Sequence, residues 1–481
     1  MGDFTNLDAP TLPEADLVAS ASSVFYTRES LGFVVLWAPA EAPLHGAWLP
    51  LSAEPRVLGR GAAQASDPHP RLQAIRQSPG TNAFLPPFMS PALSRVQLEV
   101  FHSESLSIQL KNVGRCKLWV NGAPVETGTA ELGDVVQIGS QLLLLCSKRP
   151  ARLPGQPLPD HVFGEPDEHG FVGESPAIWQ LRQELAFVAG RSGHVLIQGE
   201  SGTGKELAAA AVHRSSKRPG LLVSRNAATF PETLIDAELF GNAKGYPNPG
   251  MPERAGLVGA AHGGTLFLDE FAELPLAQQV RFLRVLDAGE YQRLGEASVL
   301  RSDVRVVGAT NRPLADLRQD VAARFAFNVH TPNLAARVED IPLLVRHLLR
   351  LIARDDSELR ARFFRADGEP NVSAQLLTLL IRSPVAGNVR DLRNMLWRSL
   401  AESKGNTLDW PTSVPSFATA APRDTGSIPP PEDAERERIV LAFERNEGSL
   451  EKTWRELGLS SRFAFSRLLK KHGISLRRRS S

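Results

Sequence analysis

The stretch HVLIQGESGTGKELAAAAVH, residues 194–213, contains an apolar run, a glycine-rich loop and a helix-forming run in that order. The loop, Gly199 to Lys205, has the spacing G-x-x-x-x-G-K. Between a strand and a helix this spacing predicts a phosphate-binding loop, because backbone N–H groups can surround a β-phosphate while the lysine reaches the β and γ oxygens. A glycine-rich turn that binds nothing is the alternative. The predicted nucleotide contacts are Gly199, Glu200, Ser201, Gly202, Thr203, Gly204, Lys205 and Glu206.

The Mg²⁺ ion that accompanies ATP needs a ligand outside this loop. Glu206 follows Lys205 at the position where a serine or threonine hydroxyl usually binds the metal. The apolar run 266–268 ends in Asp269 and Glu270, and a parallel sheet would place both carboxylates at its carboxyl edge, where ligands of α/β folds bind. We predict that Asp269 holds Mg²⁺ through water and that Glu270 orients or deprotonates the attacking water.

Composition limits what the rest of the chain can be. Its 481 residues suggest about three domains. Because 54 basic and 53 acidic residues leave a net charge of +1, nucleic-acid binding would have to come from local clusters of charge. Two cysteines, Cys116 and Cys146, exclude a disulfide framework and a four-cysteine zinc site. Neither a signal peptide nor a run of eighteen apolar residues is evident, so we expect a soluble, cytoplasmic protein with no membrane partner.

Two stretches divide the chain into blocks. Residues 147–170 are rich in proline and glycine, and residues 403–433 are rich in proline, serine, threonine and alanine. Both lack an apolar period, which predicts flexible linkers.

The three remaining blocks differ in their apolar patterns. Residues 1–146 contain short apolar runs separated by turn residues, which predicts an all-β sandwich. Residues 171–402 alternate apolar strands with helix-forming stretches, as in a parallel sheet covered by helices. Residues 434–481 favour three short helices. The predicted fold class is therefore multidomain.

Several collinear segments between Gly170 and Ala401 carry a family resemblance: GESGTGKE, DAELFGNAKG, GGTLFLDEFAELPLAQQVRFLRVL, DVRVVGATNR and AGNVRDLRN. They resemble the AAA+ domain of bacterial enhancer-binding proteins, the ATPases that activate sigma-54 RNA polymerase. The resemblance implies an α/β P-loop ATPase with a helical lid. It also implies that Asn311 senses the γ-phosphate and that Asn226 restrains the catalytic Glu270.

The same resemblance assigns three arginines. Arg390 corresponds to the sensor arginine that folds from the lid onto the nucleotide of its own subunit. Arg318 and Arg324 match the pair from which the family draws its trans-acting arginine fingers, with surface arginines as the alternative. An arginine finger acts on a neighbour's ATP, so self-association into a ring, commonly a hexamer, is implied.

The chain departs from the family in the loop that contacts sigma-54. Where the family has GAFTGA, residues 245–250 are GYPNPG. Pro247 and Asn248 replace the phenylalanine and the threonine, and two prolines fix φ and remove backbone donors. Two hypotheses follow: the protein still remodels sigma-54 RNA polymerase holoenzyme, or it is a sigma-54-independent DNA-binding regulator in which ATP controls only oligomerisation.

The first block resembles a forkhead-associated domain, a β-sandwich that binds phosphothreonine. The matching pieces are LGR at 58–60, LSR at 93–95, VNG at 120–122 and GDVVQIG at 133–139. Arg60, Ser94 and Arg95 would supply charge-assisted donors to the phosphate of a phosphothreonine protein or kinase. Gln97 and Cys116 stand where the family has a structural histidine and a peptide-gripping asparagine, and residues 61–91 form a long insertion. The alternative is a sandwich that has kept only its packing or a protein contact.

The end of the chain resembles the Fis-type helix-turn-helix that follows the ATPase in this family. Residues 448–475 contain a helix-forming run, a turn at Gly458 and a second helix-forming run after Ser460. From Arg462 to Ser481 there are seven basic residues and no acidic one. We predict DNA contacts by Ser461, Arg462, Arg467, Lys470 and Lys471, and a preceding helix that dimerises.

Overall fold

The computed structural model describes residues 29–102, 107–158, 160–231, 233–383 and 387–414. The chain divides into two compact units, Met1–Ala418 and Thr419–Ser481. The predicted helix-turn-helix and its DNA-contacting residues lie outside the described residues.

Residues 29–150 form two antiparallel sheets around an apolar core. The first sheet has the strand order β5-β4-β2-β1-β12-β11-β8-β9, and the second has the order β10-β7-β6-β3. We call residues 29–150 the sandwich. Its strands are β1 Glu29–Trp37, β2 Trp48–Pro50, β3 Arg56–Leu58, β4 Ile75–Ser78, β5 Thr81–Phe84, β6 Leu98–His102, β7 Ile108–Asn112, β8 Leu118–Val120, β9 Ala123–Val125, β10 Thr127–Ala130, β11 Val135–Ile138 and β12 Leu142–Pro150.

The next part is a parallel sheet covered by helices, with the strand order β14-β15-β18-β13-β19 and a small β16-β17 hairpin. Its strands are β13 Val195–Gln198, β14 Leu222–Asn226, β15 Thr265–Asp269, β16 Glu290–Tyr291, β17 Leu300–Arg301, β18 Arg305–Thr310 and β19 Phe327–His330. Its helices are α1 Pro176–Ala189, α2 Lys205–Ser215, α3 Ile235–Phe240, α4 Gly256–Ala260, α5 Leu276–Ala288 and α6 Gln319–Ala322.

A helical layer follows, and we call residues 334–414 the lid. Its helices are α7 Ile341–Ile352, α8 Ser357–Phe363, α9 Ala374–Arg382 and α10 Asn388–Glu402, preceded by a 3-10 turn at Leu334–Asp340. The α/β arrangement with a helical lid agrees with the predicted fold of the central block.

The structure corrects the prediction of two flexible linkers. Strand β12 continues to Pro150, so the sandwich extends beyond the predicted boundary at residue 146. The following strap, residues 151–170, is packed: Leu153 is buried, and Gln156 exchanges hydrogen bonds with Gln183 of α1. At the second boundary, Leu408 is buried in the lid core, so the lid continues past residue 402. Both described stretches, 151–170 and 403–414, have the composition of a linker, but Leu153 and Leu408 in them are buried. Residues 415–433 of the second predicted linker lie outside the described residues.

The insertion at residues 61–91 is likewise ordered. It contains β4 and β5, which extend the first sheet to its edge. Within it, the guanidinium of Arg71 pairs with Asp67 at 2.7 Å and also donates hydrogen bonds to the carbonyls of Arg60 and Arg95. The insertion therefore braces the loops in which a phosphate site is predicted.

The first sheet of the sandwich packs against the lid through one shared apolar core. Alternate residues of β1 and β12 face opposite ways: one set lies in the sandwich core, and the other set joins the lid core. The lid-facing side chains of the sandwich are Val34, Leu36, Trp37, Trp48, Ile75, Val135, Leu143 and Leu145. Beside this core, the Arg382 guanidinium of the lid donates a hydrogen bond to the carbonyl of Asn121 at 3.0 Å.

A buried ion pair lies at the same interface. The Arg149 guanidinium, 1% exposed, donates to the Glu339 carboxylate at 2.9 and 3.4 Å, and it lies over the ring of Trp48. Ser147 donates a further hydrogen bond to Glu339 at 3.4 Å. Removing one member of a buried pair leaves the other charge buried without a partner. This lowers the free energy of unfolding more than removing one member of an exposed pair does.

We therefore predict that Glu339→Ala lowers the free energy of unfolding of the full chain by about 3–5 kcal/mol, because the Arg149 charge stays buried without its partner. Chemical denaturation measures this loss. The matched control is Glu29→Ala, which removes the partner of the exposed Lys148 on the neighbouring strand and should cost less than about 1 kcal/mol. Equal losses in the two variants would contradict the prediction.

Candidate nucleotide-binding site

The phosphate-binding loop, Gly199–Lys205, lies between β13 and α2 as predicted. Gly202 and Gly204 have φ of +79° and +101°, a region that favours glycine, and Lys205 is the first residue of α2. The buried Lys205 ammonium donates hydrogen bonds to the carbonyls of Gly199 and Glu200 at 3.0 and 3.3 Å. The loop thus has the glycine geometry and the cation that a phosphate needs.

A hydrogen bond between two threonine hydroxyls anchors the phosphate-binding loop to the segment that follows β19. The Thr203 hydroxyl lies 2.7 Å from that of Thr331, which follows β19, and it also donates to the carbonyl of Glu200. A Cβ at Gly199 would lie 2.0 Å from the Thr331 hydroxyl. Thr203 is therefore occupied in holding the loop, and the side chain of Glu206 is exposed at the helix start.

Asp269 and Glu270 lie at the carboxyl edge of the same sheet. Asp269 ends β15, and Glu270 follows it with φ of +50°, which turns the chain away from the strand. The Asp269 Oδ1 atom is buried and has no hydrogen-bond partner among the described residues. Such an oxygen fits a Mg²⁺ ion that keeps most of its water and phosphate ligands. The described part of the chain has no cluster of three or more His, Cys, Asp or Glu side chains that could hold a metal by protein ligands alone.

Two predicted polar residues end the neighbouring strands. Asn226 ends β14 in register with Asp269, and its amide lies 3.4 Å from the Asp269 carboxylate. The contact described for this amide is therefore with Asp269, the residue before Glu270. Asn311 follows β18, whose last residue Thr310 lies in register with Gln198 beside the phosphate-binding loop. Both asparagines are thus at the edge where the nucleotide is predicted.

The three predicted arginines occupy different places. Arg390, on the first turn of α10, donates to the Ser201 hydroxyl at 2.6 Å, so the lid reaches the loop of its own chain. Arg318 pairs with Asp320 and Arg324 pairs with Asp287, each at 2.8 Å. The side chains of Arg318 and Arg324 are 39% and 51% exposed, so both lie on a surface that another molecule can reach.

Sequence reasoning missed a polar junction between the lid and the loop. Asn333 and Asn388 each donate a hydrogen bond to the Glu200 carboxylate, at 2.8 and 3.0 Å. These two bonds hold the pKa of Glu200 below its ordinary value, and the bond from Asn333 has the larger effect. The only signal in the sequence was the position of Asn388, two residues before Arg390 in AGNVRDL.

The GYPNPG loop is a compact turn held from its base. The Asn242 side chain is buried, and its amide lies within hydrogen-bond distance of the carbonyls of Ala243, Tyr246 and Pro252. The ring of Tyr246 packs on Gly295, where a Cβ would lie 2.5 Å from the ring. The loop therefore rests on the β16-β17 hairpin and leaves its proline-rich tip exposed.

The predicted phosphopeptide residues are brought together on two sandwich loops. The Arg60 amide donates to the Ser94 carbonyl, and the Arg115 amide donates to the Ser94 hydroxyl, both at 2.9 Å. The exposed Arg95 follows directly. Within the described residues, the guanidinium groups of Arg60 and Arg115 make no hydrogen bond or ion pair with another side chain.

Gln97 fills the place predicted for a structural histidine. It is fully buried, and its amide donates to Asn112 at 2.7 Å and to the carbonyl of Cys116 at 3.0 Å. Its carbonyl oxygen accepts from the Ser94 amide at 3.3 Å. The glutamine thus braces the loop of Ser94 from below.

None of the helices in the described residues is long and apolar enough to span a membrane.

Comparison with known proteins assigns the central domain and the lid. The sigma-54 interaction domain matches residues 171–329, and the AAA+ ATPase lid domain matches residues 335–426. The transcriptional regulatory protein ZraR of Salmonella typhimurium is 36% identical over 312 residues, which cover 63% of this chain and 68% of that protein. The anaerobic nitric oxide reductase transcription regulator NorR of Aeromonas hydrophila is 39% identical over 263 residues, covering 53% and 50%.

Among solved structures, NtrX from Brucella abortus in complex with ATP is similar at 32% identity, covering 65% of this chain and 70% of that chain with a TM-score of 0.45. The two domain matches and the identity to ZraR together show the family. The chain therefore belongs to the family of sigma-54-dependent enhancer-binding proteins, and it is an AAA+ ATPase.

Proposed function

We propose that this chain uses ATP hydrolysis to remodel sigma-54 RNA polymerase holoenzyme, under the control of a phosphothreonine signal and at DNA bound by its carboxyl-terminal residues. The observation that carries the proposal is the convergence of Lys205, Asp269, Glu270 and Arg390 on one edge of the sheet. These four groups supply a phosphate cation, a metal ligand, a base and a lid contact, which together are what phosphoryl transfer to water requires.

The proposed reaction uses each group at a defined place. Lys205 exchanges its bonds to the loop carbonyls for the β and γ oxygens of ATP, and Asp269 holds the hydrated Mg²⁺ that neutralises charge on the phosphates. Glu270 orients the attacking water and accepts its proton. Asn226, which contacts Asp269 beside it, is proposed to restrain Glu270 until the γ-phosphate is engaged, and Asn311 to sense that phosphate.

A ring completes the site in this proposal. Arg318 or Arg324 leaves its exposed partner, Asp320 or Asp287, and stabilises the γ-phosphate of a neighbouring subunit. An exposed ion pair stabilises little, so exchanging it for a transferring phosphoryl group costs little. Support for this assignment comes from the exposed side chains of both arginines, which another molecule can reach.

The phosphothreonine site is proposed at the sandwich loops. Support comes from the Arg60 and Arg115 guanidinium groups, which face solvent without side-chain partners in the described residues, beside the Ser94 hydroxyl. A phosphate dianion takes charge-assisted donors of this kind. The seven basic residues between Arg462 and Ser481 support DNA binding in the same way, by a local cluster of positive charge.

A second candidate function follows from the altered loop. In it, the ATPase cycle changes only the oligomeric state, and the chain regulates transcription from DNA without sigma-54. Pro247 and Asn248 at the exposed tip of GYPNPG favour this alternative, because they stand where the family has the phenylalanine and the threonine with which it contacts sigma-54.

The catalytic assignment predicts that Glu270→Gln lowers ATP turnover at least 100-fold, since general-base catalysis contributes about 10²–10⁴. Binding of a non-hydrolysable ATP analogue should change less than threefold, because the phosphate contacts remain. Steady-state phosphate release and calorimetry measure the two quantities. The control is Glu184→Gln, which alters a carboxylate on α1 outside the site and should leave both values unchanged. Turnover retained in Glu270→Gln would exclude Glu270 as the base.

The polymerase assignment predicts a stable complex of the full chain with sigma-54 holoenzyme when ADP and a metal-fluoride mimic of the transferring phosphate are present. With ATP, promoter DNA should open. Tyr246→Ala should remove both results while ATP turnover stays within threefold, because the ring packs on Gly295 and not on the nucleotide site. If ATP is hydrolysed but neither complex nor open promoter forms, the second candidate function is the correct one.

The sensor assignment predicts that the full chain binds members of a degenerate phosphothreonine peptide library and not their unphosphorylated forms. Arg60→Gln should weaken binding at least tenfold, because one charge-assisted contact to phosphate is lost. Lys111→Gln is the matched control on the same sheet, where the lysine pairs with Glu99. Absence of binding to the whole library, or equal losses in the two variants, would contradict the assignment.

A further inference from the structure

The lid and the phosphate-binding loop share one carboxylate. Asn333 Nδ2 donates to Glu200 Oε1 at 2.8 Å, and Asn388 Nδ2 donates to Glu200 Oε2 at 3.0 Å and to the Ser201 carbonyl at 3.1 Å. Asn333 follows the strand β19 and Asn388 begins helix α10 of the lid. Glu200 and Ser201, which accept the hydrogen bonds, belong to the phosphate-binding loop. The junction therefore joins the lid to the phosphate-binding loop through polar contacts.

Asn388 is built into this junction more tightly than a surface side chain. It is 1% exposed, its φ is +55°, and its Oδ1 accepts a hydrogen bond from the Leu334 amide at 2.7 Å. Asparagine, aspartate and glycine are the residues that best tolerate this backbone conformation. One amide side chain thus connects the start of the lid, the start of α10 and the loop.

The backbones approach closely at the same point. The Val389 amide donates to the Gly202 carbonyl at 3.2 Å, and a Cβ at Gly202 would lie 2.4 Å from the Gly387 carbonyl oxygen. Arg390, one residue further, reaches the Ser201 hydroxyl. The direction in which Arg390 leaves α10 is therefore set by the residue that holds the helix N-terminus to the loop.

We propose that Asn388, together with Asn333, is a positioning residue of the ATPase that couples closure of the lid to the shape of the phosphate-binding loop through the Glu200 carboxylate. Asn388 touches neither the reacting phosphate nor the attacking water. Its effect is on Arg390 and the loop amides, which hold the nucleotide. Because both asparagines donate to an ionised carboxylate, the two bonds are charge-assisted and stronger than bonds between neutral groups.

The substitution Asn388→Asp tests the proposal with a minimal change of shape. The new side chain has the same size, tolerates the same φ and still accepts from the Leu334 amide, but it cannot donate and it places a second negative charge beside Glu200. We expect the Kd for a non-hydrolysable ATP analogue and the KM for ATP to rise at least tenfold, whereas kcat changes less than threefold, because Asp269 and Glu270 lie on β15 and the turn that follows it.

A second substitution at the partner distinguishes positioning from folding. Adding Glu200→Gln to Asn388→Asp removes the repulsion between two carboxylates and supplies an amide donor from the loop side, which restores a charge-assisted hydrogen bond across the junction with donor and acceptor exchanged. We expect the double variant to return to within threefold of the Kd of the unsubstituted chain. The assay contains neither polymerase nor DNA, so its outcome is independent of the proposed sigma-54 and phosphothreonine functions.

The outcomes separate cleanly when the melting temperature of the nucleotide-free full chain is measured beside the Kd. A raised Kd with rescue by the double variant supports the proposal. An unchanged Kd, or a raised Kd that the double variant does not rescue, overturns it. A lowered melting temperature with an unchanged Kd would show that Asn388 only caps the Leu334 amide.

Discussion

Both faces of the strand pair β1 and β12 are apolar and buried over residues 31–37 and 142–146, and much of the architecture follows from covering them. Val34 and Leu36 lie on one side of β1 while Phe33 and Val35 lie on the other, and each side is buried. Burying such a side chain stabilises a fold by about 1.5–3 kcal/mol relative to leaving it in water. The second sheet of the sandwich covers one side. The lid covers the other, which is why the strap between them is packed and why Arg149 meets Glu339 inside the protein.

This packing makes the lid the element that joins the sandwich to the nucleotide site. Helix α7 takes part in the core shared with β1, while the first turn of α10 lies on the phosphate-binding loop. Both helices belong to the same lid core, in which Leu344 and Leu392 are buried together. Protein cores are close-packed, and one continuous apolar core joins the sandwich to the lid helices α7 and α10.

The sequence predicted those features whose physical cause is local. The spacing from Gly199 to Lys205 requires its turn geometry, and a strand that ends in two acids places them at a sheet edge, so the positions of the loop and of both acids agree with the prediction. The apolar runs GFVVLW and LLLLC predict sandwich strands, and runs without polar alternation are typical of strands that are buried on both faces. That pattern was the available signal that a further layer covers the sandwich.

Other features depend on contacts between segments that are distant in the sequence, and no local sequence pattern predicts those contacts. The strap has the composition of a linker, and only the position of α1 and the lid explains why it is ordered. Gln97 has no helix or strand signal for its role, because its amide braces three backbone and side-chain groups contributed by separate loops. Glu200 and Asn388 are 188 residues apart in the chain. Such pairings arise only when the fold brings the segments together.

The altered loop can diverge because its shape does not depend on the ATP site. Asn242 holds the loop base through backbone carbonyls, so the side chains at the tip contribute little to its conformation. A Cβ at Gly245 or at Gly250 would meet no atom within 4 Å, which shows how open the tip is. Substitutions at positions 247–249 therefore change what a partner encounters while Lys205, Asp269 and Glu270 keep their places on the sheet edge. Hydrolysis and partner contact are separable in this fold, and the chemistry of the first does not determine the identity of the second.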